Sequence, residues 1–310
     1  MRERPGDLRR VHARAPGKIN VFFEVGDVQP DGYHDVASVY QAVSLYEDVW
    51  ASRADSDAIT VDGDVDVSGV PLDASNLAVR AARLVADRLG YTGGIRLEIH
   101  KGVPVAGGMG GGSADAAAAL VAVNELLERA GWTPLELQGL GARLGADVPF
   151  AVLGGTAVGT GRGDELATAL ARGRFDWVLA TRSDGLSTPA VYAELDRLRA
   201  GVDIRPRRGA PQADPGVLQA LRAGSAGALA EVARNDLQRA ACSLAPDLVD
   251  VMGEGDAHGA LTAFVSGSGP TVAFLADGAE AADALTRSLR GLGRETFVAH
   301  GPVPGARIVP

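Results

Sequence analysis

The chain has one cysteine, Cys242, and only two lysines, Lys18 and Lys101, among 30 basic residues; aromatic residues make up 5% of its 310 positions. A single cysteine excludes an internal disulfide and fits a reducing compartment, and no catalytic-cysteine signature surrounds Cys242, so its expected role is structural. Acidic residues outnumber basic ones, 39 to 30, for a formal charge of −9. That balance excludes the broad positive face that nucleic-acid binding requires and favours a small-molecule ligand. Residues 1–10 are mixed in charge and lack the apolar core of a signal peptide, so a cytoplasmic location is expected. The one uncharged stretch of membrane length, residues 257–276, carries Gly267, Ser268, Gly269 and Pro270 in its middle. These would break a spanning helix, so strand, loop and strand are expected there.

What the chain does have is glycine, 41 residues in all, well above the ~7% of average usage. With 46% hydrophobic and 22% charged residues, disordered, collagen-like and disulfide-scaffold classes are excluded. At ~100–150 residues per globular domain the length points to two domains. Residues 11–25 carry β-branched, alternating runs, and residues 29–34 hold the Pro, Asp and Gly of a turn, so a hairpin is expected. Strand-like pieces follow at 36–43, 48–53 and 58–67. Asn76 is placed to cap a helix reaching about Leu89, with Gly90 as its stop, and residues 95–100 alternate as a strand. Helices are expected over 114–130 and from Thr133-Pro134 to about Gly145. Residues 154–163 read as irregular strand and turn, and the domain boundary is placed after them, giving residues 1–168 and 169–310. The second half reads as strand 175–180, helix 189–198, an exposed loop at 204–215 and two short helices. It continues with helix 246–252, strand 261–265, glycine loop, strand 271–275, helix 279–289 and strand 295–299. That order defines an α+β protein.

The densest signal is Pro104, Val105, Ala106, Gly107, Gly108, Met109, Gly110, Gly111, Gly112, Ser113 and Ala114, a glycine loop between a strand and a helix. Residues without Cβ let backbone N–H groups converge on an anion, and a following helix adds free N–H groups and the positive end of its dipole. A phosphate chain fits there, and a flexible surface loop is the alternative. The loop is not a Walker A motif, because no lysine precedes Ser113. Nor is it a dinucleotide fingerprint, because Ser113 stands where the third glycine would be and the β-rich start is not a βαβ unit. In a chain that writes positive charge as Arg, a retained Lys suggests a compact ammonium that a guanidinium cannot replace. For Lys18 and Lys101 a solvated strand end remains the alternative. Asp147 is either a turn residue or a carboxylate lining a cleft, and Pro149 disfavours helical geometry at Val148. Residues 266–271, Ser-Gly-Ser-Gly-Pro-Thr, form a second glycine loop, either a simple hairpin or a second wall of a phosphate site.

Together, Ala-Pro-Gly-Lys-Ile-Asn at 15–20, the loop at 104–113 and Ser-Gly-Ser-Gly-Pro-Thr at 266–271 resemble, in order and spacing, the three motifs of the galactokinase, homoserine kinase, mevalonate kinase and phosphomevalonate kinase (GHMP) superfamily. The resemblance spans residues 13–275. Asp31-Gly-Tyr-His34, Gly-Ala-Asp-Val-Pro and Asn235-Asp-Leu237 resemble the branch that phosphorylates a cytidine diphosphate-linked methylerythritol in non-mevalonate isoprenoid synthesis. Met109 stands where Leu is usual and Ala114 where a second Ser is common, and both leave the glycine backbone intact.

The resemblance implies a two-domain GHMP kinase fold: an N-terminal domain like domain 2 of ribosomal protein S5, a ferredoxin-like C-terminal domain, and an active site between them. It implies ATP and Mg2+ as cofactors with metal ligands unassigned, a small-molecule substrate without nucleic acid or membrane, and a monomer or homodimer. By that likeness Lys18 and Asp147 are the catalytic pair and the glycine loop holds the ATP phosphates. Asn76 and Lys101 reach the nucleotide base. Tyr33, His34 and Tyr192 border the cytidine end, with Asn20, Thr188, Gly267, Ser268 and Gly269 as further substrate contacts. A kinase of homoserine or mevalonate type, or a non-catalytic nucleotide-binding protein on the same fold, are the alternatives; the presence of both Lys18 and Asp147 weighs against the second.

Overall fold

The computed structural model describes residues 9–105, 107–127, 132–182, 184–200 and 210–310. The chain opens with β1 (Arg10–Val28) and β2 (His34–Ala54), an antiparallel hairpin closed by the expected turn, where Gln29 N–H donates to Tyr33 O at 2.6 Å and Gly32 N–H to Gln29 O at 2.9 Å. β3 (Ala58–Gly63), α1 (Leu77–Arg88), β4 (Gly94–Lys101), α2 (Gly111–Leu127), α3 (Pro134–Gly141), α4 (Val148–Leu153), β5 (Thr156–Thr160) and β6 (Glu165–Thr168) follow. The second half holds β7 (Phe175–Thr181), α5 (Thr188–Ala200), α6 (Pro215–Ala223), α7 (Ala226–Val232), β8 (Arg234–Asn235), α8 (Gln238–Leu244) and α9 (Asp247–Ala257). It ends with β9 (Thr262–Val265), β10 (Val272–Ala276), α10 (Ala279–Gly291), β11 (Glu295–Gly301) and β12 (Arg307–Ile308).

The strands form two sheets. One is ordered β12-β1-β2-β4-β3, extended by β5 and β6 beside β2 and by β8 parallel to β1; the other is ordered β11-β7-β10-β9 and is antiparallel throughout. Residues 234–235 and 307–308 therefore return to the first sheet from beyond the expected boundary at 168. The two pieces expected at 36–43 and 48–53 are one strand. β1 pairs Pro16 with Tyr46 and Gly17 with Val43, so a bulge absorbs Ser44 and Leu45 without ending the ladder. A second shift, between Asn20 and Phe22, means that bulges flank the segment carrying Lys18 and Asn20.

Local chemistry explains most helix ends. Asn76 Oδ1 accepts from Ala78 N–H at the start of α1, and Thr133 with Glu136 forms a capping box on α3, with Pro134 in the first turn. The expected end near Gly145 falls earlier, at Gly141. Pro149 was expected to oppose helix at Val148, yet it sits in the first turn of α4, where no N–H is needed. Three short helices, α6, α7 and α8, stand where two were expected, and α8 carries half-buried Cys242, whose thiol is pushed up by burial and by Asp247. Helix α2 begins at Gly111, three residues before its expected start; residues 128–130 of the expected helix and 204–209 of the expected loop lie outside the described residues. Among the described residues no helix is long and apolar enough to cross a membrane.

Alternation along the strands sorts the cores. α1 and the Ala-rich α2 cover the first sheet through Ala81, Val85, Leu120 and Val123, packed on Val49, Ala51, Leu97 and Ile99. In the second sheet Val178, Ala180 and Phe274 face α5, α8, α9 and α10. The opposite face presents Phe175, Trp177, Leu179 and Phe264 to Ile19, Val21, Phe22 and Met109 of the first half. This seam joins the two halves, and Trp177 sets it: its Nε1 donates to Gln41 Oε1 at 2.8 Å and its ring meets Phe264 edge-on at 5.9 Å. Trp177→Ala is expected to cost about 3–5 kcal/mol by emptying a fully buried site. Urea unfolding measures it; a loss below about 1 kcal/mol would contradict a packed seam.

Candidate active site

The middle of β1 and two glycine loops meet at the seam, and each pair is joined by a bond or close contact. Lys18 N–H donates to Met109 O at 2.9 Å, tying the first motif to the glycine loop. Thr271 Oγ1 donates to Gly107 O at 2.6 Å, tying that loop to the third. Asn20 N–H donates to Ser266 Oγ at 3.1 Å, closing the ring. Two glycines make the approach possible. Gly108, at φ +75°, would place a Cβ 2.7 Å from Gly269 O, and Gly267, at φ +58°, would place one 3.0 Å from Asn20 Oδ1 and 3.7 Å from Lys18 Nζ.

At the centre, Lys18 Nζ donates to Asn20 Oδ1 at 2.8 Å, while Asn20 Nδ2 donates to Ser38 Oγ at 2.7 Å and Ser38 Oγ to Phe22 O at 3.3 Å. This chain fixes the ammonium 3.8 Å from Asp147 Oδ2 and 5.6 Å from the Tyr40 ring centroid. Asp147 precedes α4 but its side chain makes no capping bond, and at 34% exposure it opens onto the cleft while Lys18 is 11% exposed. The turn-residue reading of Asp147 therefore does not account for its carboxylate. Burial, and then the nearby Asp147 charge, push the Tyr192 phenol up to about 12 and Tyr40 higher still, so both are neutral donors at neutral pH. Tyr40 and Ser38 were not singled out from sequence; the available signal was polar side chains opposite the Lys18 segment on an otherwise apolar strand.

Beside this centre lies a hollow of about 430 Å³, walled by Pro104, Val105, Gly107, Gly108, Met109, Gly110, Gly111, Gly112 and Ser113 with Pro71, Asn76 and Leu77. Helix α2 starts on this wall, so its first N–H groups and dipole end supply what a phosphate chain requires. Ala114 N–H instead donates within the helix, to Gly110 O, and Ala106 lies outside the described residues. A larger hollow, about 610 Å³, sits between α1, β3 and Arg143 and contains none of the expected site residues.

Two assignments change character. Asn76 lines the hollow, but its amide is engaged as the α1 cap and with Pro71 O at 2.8 Å. Lys101 lines the hollow together with Asp115, but its ammonium is engaged by carboxylates, 2.7 Å from Glu47 and 2.5 Å from Asp115, the three side chains being 3%, 0% and 4% exposed. Burial, then the Asp115 charge, hold Glu47 well above the usual carboxylate range, and burial raises Asp115, whose Oδ1 has no hydrogen-bond partner among the described residues. Burial alone would lower Lys101, but the two carboxylates outweigh it. The lysine neutralises a buried acidic pair beneath the glycine loop.

At the far end Tyr192 lies 5.1 Å from the His34 ring, and His34 Nε2 bonds Asp196 Oδ1 at 2.8 Å. Thr188 and Ser268 share a hydroxyl contact at 2.8 Å. Tyr33 is 57% exposed. Tyr192 thus belongs to both ends, touching His34 and feeling Asp147.

Residues 76–155 match the GHMP kinases N terminal domain and residues 217–295 the GHMP kinases C terminal domain. The chain is 58% identical to a 4-diphosphocytidyl-2-C-methyl-D-erythritol kinase of Clavibacter michiganensis subsp. michiganensis, covering 96% of each chain. It is 57% identical to one of Leifsonia xyli subsp. xyli, over 96% of this chain and 98% of the relative. A crystal structure of 4-(cytidine 5'-diphospho)-2C-methyl-D-erythritol kinase superposes with a TM-score of 0.75 at 29% identity, over 93% and 98% of the two chains. A homoserine kinase from Cytophaga hutchinsonii shares the fold, with a TM-score of 0.72 at 18% identity over 100% of both. The chain belongs to the GHMP kinases and, within them, to the family of the 4-diphosphocytidyl-2-C-methyl-D-erythritol kinases. Membership of a kinase family implies the use of ATP.

The buried cluster has a pH signature. Glu47 and Asp115 are raised above their ordinary values of 4.5 and 3.8, so the folded state holds their protons more tightly than the unfolded chain, and their contribution to stability falls as pH climbs through and above that range. Lys101→Met removes the charge that limits this rise. The variant is expected to lose about 3–5 kcal/mol at neutral pH. The loss narrows as the pH is lowered and the carboxyls take up protons. Denaturation across pH measures it, and a loss independent of pH would contradict the cluster.

Proposed function

We propose that the protein transfers the terminal phosphoryl group of ATP to the 2-hydroxyl of 4-diphosphocytidyl-2-C-methyl-D-erythritol in the cytoplasm, with residues 1–168 supplying the nucleotide and catalytic part and residues 169–310 completing the substrate site. One observation carries the reading: β1 and two glycine loops converge to hold Lys18 between Asn20 and Asp147, beside a glycine-walled hollow at a helix start. Relatives of 58% and 57% identity carrying the name of this kinase support it.

Phosphoryl transfer requires in-line positioning and neutralised charge more than covalent help. The glycine loop and the α2 N-terminus hold the phosphates by backbone N–H groups. A tertiary alcohol is too weak an acid to be ionised beforehand, so Asp147 orients or accepts its proton while the Lys18 ammonium stabilises the developing oxyanion. Asn20 keeps that ammonium in place. Mg2+ bound with ATP supplies further positive charge on the phosphates. On the loop wall Ser113 offers a hydroxyl oxygen that would help hold such a cation. The pyrimidine lies among Tyr33, His34 and Tyr192, where groups matched to the donor edge of cytosine would be left unpaired by uracil.

Lys18→Met and Asp147→Asn are each expected to lower kcat by at least ~10²-fold with the fold intact. ADP release is measured against the cytidine diphosphate compound, its uridine analogue, bare methylerythritol phosphate, homoserine and mevalonate. The cytidine compound is expected to lead clearly in kcat/KM; equal use of any other would overturn the substrate assignment, and near-normal turnover in either variant would overturn the catalytic roles.

A further inference from the structure

The turn between β5 and β6 reaches across to the turn between β1 and β2. Val36 N–H donates to Gly161 O at 2.8 Å, and the Arg162 guanidinium lies 3.9 Å above the Tyr33 ring centroid while bonding Asp31 Oδ2 at 2.7 Å. Asp31 Oδ1 also accepts from Tyr33 N–H at 3.0 Å, so ring, carboxylate and guanidinium form one unit. Arg162, Asp31 and Tyr33 are 55%, 53% and 57% exposed. Such exposed pairs add little to the stability of a fold, and an aromatic ring held out in water with one face capped by a cation leaves its other face for a ligand.

Position gives the unit its meaning. One residue beyond Arg162, Gly163 packs against the Tyr40 hydroxyl, and Tyr40 in turn covers the Lys18 ammonium. This turn therefore touches Tyr33, placed at the pyrimidine end, and Tyr40, whose ring lies 5.6 Å from the Lys18 ammonium. On the substrate reading, with the base at Tyr33 and the alcohol at Lys18, the linking diphosphate lies between the two, beside this turn. Asp31 and Asp164 stand on these two turns and Asp35 at the start of β2, in a chain of net charge −9, so a diphosphate would meet repulsion there without a local cation. A guanidinium carries five N–H groups in a fork matched to phosphate oxygens, and Asp31 occupies only part of it.

We propose that Arg162 is a specificity-determining residue for the pyrimidine diphosphate portion of the substrate, capping Tyr33 with its plane and binding the diphosphate with its free N–H groups. The inference rests on the substrate reading given above. Arg162→Gln keeps a planar amide and removes the charge; Arg162→Lys keeps the charge and removes the fork. In Arg162→Gln, KM for the cytidine substrate is expected to rise by about tenfold or more, the worth of a charge-assisted contact. kcat, KM for ATP and the melting temperature are expected to stay near wild type.

The deciding readout is competitive inhibition by cytidine, cytidine monophosphate and cytidine diphosphate. Wild type is expected to bind the diphosphate more tightly than cytidine. Arg162→Gln is expected to erase most of that advantage while leaving cytidine within about threefold, and Arg162→Lys to restore part of it. An unchanged diphosphate advantage in Arg162→Gln, or equal weakening of cytidine and its diphosphate, would overturn the inference. Failure of all three compounds to inhibit wild type would overturn the substrate reading instead, and the inference with it.

Discussion

The site depends on the apolar seam between the two sheets. Phe175, Trp177, Leu179 and Phe264 press on Ile19, Val21, Phe22 and Met109, and the residues between those anchors are thereby aimed into the cleft. Side chains alternate along a strand, so burying Ile19 in the seam turns Lys18 and Asn20 the other way. Burying Met109 pins the glycine loop between Gly108 and Gly110, both at positive φ. The seam thus brings motifs far apart in sequence within hydrogen-bonding distance, and its rigidity becomes the positional accuracy of the Lys18 ammonium.

Electrostatics then divides the labour between the two lysines. The protein is acidic overall, so in the proposed reading attraction for phosphate groups is local: backbone N–H groups at the start of α2, one ammonium beside Asp147, and one guanidinium over Tyr33. Lys101 serves differently. Sealed with Glu47 and Asp115 under the glycine loop, it offsets two carboxylates that would otherwise lie buried beneath an anion site. Both positions place a compact ammonium against buried or half-buried partners, a geometry for which a single point charge is better suited than a planar guanidinium.

Features written in neighbouring residues were legible in the sequence. The Gln29 to Tyr33 turn, the Asn76 and Thr133 caps and the glycine loop before α2 each follow from residues within a few positions of one another. The resemblance of three motifs carried the family. What the sequence could not show depends on partners far along the chain. The pairing of Lys101 needs Glu47 and Asp115; the fusion of two strand pieces into β2 needs the bulge against Pro16 and Gly17. The places of Ser38 and Tyr40 need the hairpin register that sets Tyr40 opposite Asn20. The short strands β8 and β12 exist only as additions to β1, and two residues carry no periodicity to read. Helix α4 was missed because Pro149 was judged on the residue before it rather than on the helix after it.

We propose that convergence of β1 with the two glycine loops makes Lys18 and Asp147 a single working unit. A double-mutant cycle on kcat tests it directly, comparing Lys18→Met, Asp147→Asn and the combined variant. Groups that act as a unit are strongly non-additive, so the combined variant should be about as slow as the slower single variant. If the two losses multiplied, Lys18 and Asp147 would be acting independently, and the account of the site would be wrong.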